Sequence, residues 1–556
     1  MNFLKNIVEM MFEHPEAWAL AFWAPCFVLL LAAAKWPGGG LKFARLSWLG
    51  GAIGLLTLGL FGWLNYRYLA SAIELNAMPA QVFEVSWYFE QGHPLYHDAH
   101  SPEFYSMLYG PYLYIFTGTL EKWLGPGIFA AKLAGQLSTL STLGLLGVLL
   151  WRRGSKLSTA LLFTAIFACL IVTDPLEVYF DRADNFIVLF LVIGAWAAYS
   201  PTKLAPLILG AAIGISVDLK VHAFLYFIPL AWVAWRTGHR WKGVGLALGT
   251  AAVVALLPFL AFSNISLRNY FWILHTASHH GLNPPEYMNV VFRVCCYSVP
   301  LGLAFLLSYL QDARATVGIF HRYAGFIGSL VFATLVLIVP ASKIGSGPYH
   351  LLPMAIIVIL LMAELVRAGL QWPGQLNAVT AGLYAVLASW LISCLGVGML
   401  RSHQYGTYFK LHTAWADDVQ ADIDGILKKY GTDHIVLMGN SDNGHYDWTY
   451  FRTSLIFQGQ PVGLEPAALA DLQYAGVVMP TLAETSAALV ARQPGKKILW
   501  LVPPDAVPFS LNSYYAKWDN NEFKDPMPVY SQQFRTDFAQ AFHRVDSSRY
   551  FDLYSN

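Results

Sequence analysis

Charged residues are scarce in this chain: they make up 12% of 556 residues, against 56% hydrophobic ones. A water-soluble fold of that size would leave much of this apolar surface outside its core, so the sequence reads as a polytopic membrane protein. A basic excess is also lacking, and a formal net charge of +1 argues against nucleic acid as a partner. Cysteine is rare. Cys26, Cys169, Cys295, Cys296 and Cys394 all lie in or beside apolar stretches, none in a CxxC or Cys/His cluster, and none follows residue 400. That excludes a cysteine-ligated metal centre and a disulfide-held C-terminal part. The first twenty residues lack the basic start and small-residue cleavage site of a removable signal peptide, so none is expected.

What the chain does have is long apolar runs. About twelve of them are long enough to cross a bilayer. They lie near 17–34, 47–73, 127–151, 158–174, 184–199, 203–217, 222–236, 242–262, 289–309, 323–340, 350–366 and 377–399. Alternate connections carry the cations: Lys35, Lys42 and Arg45; Arg152, Arg153 and Lys156; Arg236, Arg240 and Lys242; Arg314 and Arg322; Arg367. The positive-inside rule makes these cytoplasmic and turns the other connections, with both termini, outward. Acids and histidines crowd that outer side, where a charge held near hydrocarbon usually has chemistry to do.

The longest outer connection, residues 74–126, is too long for a simple link. Within it, PAQVFEVSWYFEQ sets Val82, Val85 and Phe89 on one helical face and Gln81, Glu84 and Tyr88 on another. A second helix is expected to begin at Pro111. For Glu84 a merely solvated face stays open beside a functional role. The second outer connection, DPLEVYFDRADN, packs Asp174, Glu177, Asp181, Arg182 and Asp184 together; helix capping and ion pairing compete there with a functional reading. The apolar hairpin 203–236 has short arms, so its tip, Asp218 to His222, is expected at or below the outer interface. Lys220 then either meets a ligand or snorkels to headgroups with Asp218 neutralising it.

Taken in order, FEQGHPLYHD, YGPYLYIFTGTLEKWLG, FDRADNFIVLFLVIGAWAA, ISVDLKVHAFLYFIPLAW and GPYHLLPMAIIVILL resemble the GT-C class of membrane glycosyltransferases, in particular the bacterial branch with protein O-mannosyltransferases and lipid A aminoarabinose transferases. The resemblance implies an integral membrane enzyme of the bacterial inner membrane, with its site facing outward. Its substrates would be a polyprenyl-phosphate sugar donor and a lipid, glycan or protein acceptor. It also implies an acid at the end of the first core helix or the start of the interfacial helix, often an Asp-Glu pair. Here Glu84 and Glu74 are the candidates, and neither has an Asp beside it. Inverting transfer needs a carboxylate to accept the hydroxyl proton and cations to stabilise the leaving phosphate. Glu84, sharing a face with Tyr88, is preferred over Glu74 as the base. Lys220, with Arg182 or Lys343, would meet the phosphate. Asp184, His222, Tyr349 and His350 would complete the donor site. No cofactor is expected; a divalent metal where Asp174, Glu177 and Asp181 meet the first loop stays open but is not favoured without a DxD at the first acid.

After residue 400 the composition becomes globular. ADDVQADIDGILKKYG reads as a helix, and HIVLMGN, AGVVMP and KKILWLVPP read as short strands of a small outer α/β domain, 401–556, following a membrane part, 1–400. GNSDNGHYDW reads as a plain turn-rich loop with ligand binding as the alternative. Two other functions compete with transfer: a flippase for lipid-linked sugars, which should show inverted repeats not visible here, and a noncatalytic assembly subunit. The alternation of cations predicts that a reporter fused at Asn556 is active outside the cytoplasm; activity only inside would reverse the whole orientation.

Overall fold

The computed structural model describes residues 28, 47–72, 74, 77–173, 182–311, 313–370, 377–504, 507–512 and 528–556. The expected first span, 17–34, lies outside the described residues apart from residue 28, and so do Asp174, Glu177 and Asp181. From residue 47 onward each expected run carries a helix: Ser47–Leu69, Ile128–Arg152, Leu157–Thr173, Ala183–Ala198, Ala205–Leu219, Phe224–Ala234, Arg240–Ala261, Pro284–Gln311, Ala313–Ala341, Leu352–Leu370 and Asn377–Tyr430. By length and composition four stretches of the described residues suffice to cross a membrane: Ile128–Arg152, Val221–Ala261, Phe320–Ala341 and Pro348–Leu365. Three shorter apolar helices accompany them. Val221–Ala261 is not one straight helix, because Gly238 has φ 111°, a left-handed conformation that glycine adopts cheaply, and the chain turns there.

Successive helices run up and down. The exits at Leu69, Thr173, Leu219 and Ala341 therefore share one end of the bundle with the entries at Ile128, Ala183, Phe224 and Leu352. The long connection lies on that end as two helices, Ala77–Glu90 and Pro111–Leu124, the second opened by Pro111 as its fixed φ favours. Both faces of the first are covered: Val82 and Phe89, but also Gln81, Glu84 and Tyr88, are buried. The solvated-face reading of Glu84 is thus corrected, since the C-terminal part of the chain packs over it.

That part is built on a four-stranded sheet of order β1-β2-β4-β3, with β1 His434–Met438, β2 Lys497–Val502, β3 His543–Ser547 and β4 Asp552–Ser555. β1 and β2 are parallel, in register His434 with Lys497, and the other two pairs are antiparallel. AGVVMP, expected as a strand, is irregular: Gly476 turns with φ 86° and Val478 stands 88% exposed. The sheet contains instead the last two strands, whose residues (HRVDS, DLYS) are too polar to announce themselves. The expected division at 400/401 falls inside Asn377–Tyr430, a single helix running from the bundle to β1. Phe104 of the outer connection enters the core of the sheet region beside Ile435 and Trp500. Its N–H donates to Gly463 O (3.0 Å), and its carbonyl accepts from Glu465 N–H (2.8 Å).

The outer connection is locked to the hairpin at one point. Asp218 Oδ2 accepts the Tyr112 N–H at 3.1 Å, serving the helix start, and a Cβ on Gly110 would lie 1.4 Å from Asp218 O. Gly110→Ala must push the two segments apart, at the upper end of the roughly 1–3 kcal/mol typical of overpacking. Purified Gly110→Ala is expected to unfold at a clearly lower temperature than the parent; an equal midpoint would contradict the packing.

Candidate active site

Two buried polar clusters form at the loop-bearing end of the bundle. The first centres on Lys220, whose Nζ lies 2.8 Å from both Asp184 Oδ1 and Asp184 Oδ2. Asp184 stands in the first turn of Ala183–Ala198, where the helix dipole favours a negative charge. Lys220 Nζ is also 3.4 Å from His350 Nε2 and sits 5.6 Å and 5.3 Å from the ring centres of Tyr109 and Tyr349. Burial brings the whole group together, since Lys220 is 8% exposed and Asp184 0%. His222 tilts over His350 at 4.7 Å, and Tyr226 Oη donates to His350 O at 2.8 Å, fixing the backbone that carries the imidazole. Arg182, itself buried, lies within electrostatic reach of Tyr349 and His350. Lys343 is half-buried and acts on His222 and on Asp471. The donor-site candidates Lys220, Asp184, Arg182, His222, Tyr349 and His350 thus assemble in one place, with Lys343 at its margin. Asp218 does not neutralise Lys220; it caps a helix.

The second cluster is acidic. Arg452 Nε donates to Glu84 Oε2 at 2.7 Å and Arg452 Nη2 to Glu465 Oε1 at 2.6 Å, with all three side chains buried. Burial raises the Glu84 carboxyl and Arg452 pulls against it, while the charge of Glu465 raises it further. Glu74 stands nearby. Burial lifts its carboxyl to about 7, opposed by Lys132 and Arg452, with Thr453 beside it. Lys132 Nζ lies 4.1 Å above the Tyr68 ring and donates to Ser71 O at 3.0 Å. Glu74 lines a narrow cleft with Tyr408, Trp415, Asp447, Tyr450 and Phe451, whereas Glu84 does not. Among the described residues no group of three or more His, Cys, Asp or Glu is arranged to hold a metal ion.

Sequence reasoning missed Tyr109, Lys132, Arg452, Glu465 and the cleft aromatics. Lys132 carried a readable signal, a lone cation inside the apolar run FAAKLAGQL. Arg452 carried none, because its partners lie 368 and 13 residues away and nothing local marks them. The GNSDNGHYDW segment, expected as a plain loop, is a loop only at its start: Asp442 Oδ1 accepts from the Gly444 and His445 N–H groups and opens the 3-10 helix Asn443–Phe451, from which Asp447 reaches the cleft.

No protein-family model and no curated protein matches this sequence. Among solved structures, the chain has the fold of the GT-C membrane glycosyltransferases. The similarity is to ArnT from Cupriavidus metallidurans in the apo state, at TM-score 0.51 and 14% identity over 92% of this chain and 98% of that one. It extends to ArnT from the same organism bound to undecaprenyl phosphate, at TM-score 0.52 and 13% identity over the same shares of the two chains.

Removing Arg452 leaves two buried carboxylates facing each other without a counter-charge, a change that costs about 3–5 kcal/mol. Arg452→Met should therefore lower the thermal midpoint strongly, and adding Glu84→Gln and Glu465→Gln should recover part of the loss. An unchanged midpoint in Arg452→Met would show that the pair contributes nothing.

Proposed function

We propose that this chain is an inverting membrane glycosyltransferase that moves a sugar from a polyprenyl-phosphate donor to an acceptor hydroxyl at the outer face of the bacterial inner membrane. The observation that carries the reading is the Lys220, Asp184 and His350 cluster, buried at the same end of a GT-C fold as the carboxylate of Glu74. It is supported by the similar structure that has undecaprenyl phosphate bound. Alternation of the Lys/Arg-bearing connections supports the outward orientation of that end and of the sheet region. Lys220, with Arg182, meets the donor phosphate and stabilises it as it leaves.

Glu74 is favoured as the base over Glu84. It lines a cleft with aromatic rings and a second carboxylate, and a carboxyl lifted to about 7 is matched to proton transfer near neutrality. Glu84 has one oxygen committed to Arg452. Glu74 and Glu84 each face a cation, Lys132 and Arg452, rather than an open set of acids, and transfer is proposed to be metal-independent.

The test is transfer measured with a polyprenyl-phosphate sugar in membranes. Glu74→Gln is expected to lose roughly 10²–10⁴-fold, the usual share of general-base catalysis. Full activity in Glu74→Gln with loss in Glu84→Gln returns the base to Glu84, and activity in both favours a noncatalytic subunit. Lys220→Ala should slow transfer roughly 10²-fold and, by leaving Asp184 buried without its cation, also lower the thermal midpoint; normal kinetics would remove the phosphate role. A base works only when deprotonated. The rate should therefore rise as pH climbs through about 7 and level off above it, a profile lost in Glu74→Gln. Added chelator should leave the rate unchanged.

A further inference from the structure

A cavity of about 580 Å³ lies where Ser47–Leu69, Leu157–Thr173 and Asn377–Tyr430 meet, lined by none of the residues of the lysine cluster or of the Arg452 pair. Its size is that of an ordinary small-ligand pocket. The walls are mostly apolar, Leu60, Phe61, Trp63 and Val172 among them, and the lining includes the cations Arg67 and Lys410. Gly398 packs near Cys169 and Gly406 near the Trp63 ring, so side chains there would narrow the groove.

The groove is polarised along the membrane normal. Arg67 stands in the last turn of its helix, at the loop-bearing end of the bundle, whereas Thr57 and Leu60 lie two to three turns deeper. Asn377–Tyr430 runs outward past the same wall, and Lys410 lies one turn beyond Gly406. The apolar part is therefore at hydrocarbon depth and both cations are at headgroup depth. Arg67 rests 5.8 Å from the centre of the Trp63 ring, and among the described residues neither cation pairs with a carboxylate. A soluble anion would leave the apolar floor uncovered. A neutral lipid would leave both cations without a counter-charge.

We propose that this groove is a binding site for an anionic membrane phospholipid, with acyl chain along Leu60, Phe61 and Val172 and the phosphate between Arg67 and Lys410. Basic side chains at headgroup level attract anionic lipid in this way. The site stands whether or not the chain transfers sugar. Because one of its walls is the helix that continues to β1, a bound lipid also braces the connection between bundle and sheet.

The full-length protein, purified in detergent and supplied with phosphatidylglycerol or phosphatidylcholine, is expected to retain phosphatidylglycerol selectively in native mass spectrometry. Arg67→Gln combined with Lys410→Gln should reduce that retention roughly thirtyfold, the loss expected when two cations no longer face an anionic headgroup. Equal retention of both lipids, or no change in the double variant, would overturn the proposal. A second measurement does not depend on how the double variant folds. A photoreactive benzophenone side chain placed at Leu60 in the otherwise unaltered chain should yield a phospholipid adduct. A polyprenyl-phosphate adduct, a crosslink to residues 1–46 of the same chain, or a crosslinked dimer would each assign the groove to another occupant.

Discussion

Arg452 carries its charge into the buried interior and holds a carboxylate on either side, Glu84 from the outer connection and Glu465 from the C-terminal part. None of the three would be tolerable there alone, because an unpaired buried charge costs several kcal/mol. Together they make the sheet region and the outer connection a single piece. The contacts around them extend the same seam: Phe104 inserts into the sheet-side core, Thr485 Oγ1 donates to Pro102 O at 2.8 Å, and Arg492 pairs with Glu103 while donating to Tyr88 Oη at 2.8 Å. One result bears on chemistry. With one oxygen of Glu84 engaged, Glu74 is the acid of this cluster that faces a cleft.

The lysine cluster depends on a different device, the close approach of two backbones. Gly110 can lie against Asp218 O only because it has no side chain, and that contact lets Asp218 cap the helix Pro111–Leu124. Released from neutralising Lys220, Asp218 fixes the hairpin tip, and Lys220 turns to Asp184 on the neighbouring helix. Asn264 and Ser266 hold the next connection in a similar way: Asn264 Nδ2 donates to His93 O at 3.0 Å and Ser266 caps Leu267–Ser278.

Much of the bundle was legible because its signal is local. An apolar run of bilayer length specifies a helix, since only that satisfies its backbone in hydrocarbon, and alternating cations order the ends. The donor-site candidates were legible for the same reason, since each lies at the end of such a run: Asp184 opens one, Lys220 joins two, and His350 precedes a fourth. The acid was harder. Glu74 and Glu84 differ little in sequence context, and what separates them is Arg452, brought in from the far end of the chain. The sheet was half legible: buried central strands such as KILWLV read clearly, while edge segments such as HRVDS have no hydrophobic pattern and AGVVMP has one without the structure.

On the proposed reaction, the charge count around Lys220 has a direction. Arg182 and Lys220 with Asp184 leave a local charge of +1, and Lys343 at the margin makes it +2. Asp184 offsets part of the positive field of the lysine. A phosphodiester donor brings one negative charge, which the set can balance. As the bond to the sugar breaks, the phosphate gathers a second, and the uncompensated part of the cationic set meets it in a buried place where Coulomb interactions are strong. The attraction therefore grows along the reaction, and only an interaction stronger in the transition state than in the ground state accelerates the step. Without Arg182 the count falls to zero, or to +1 with Lys343, and nothing is left over for the leaving group.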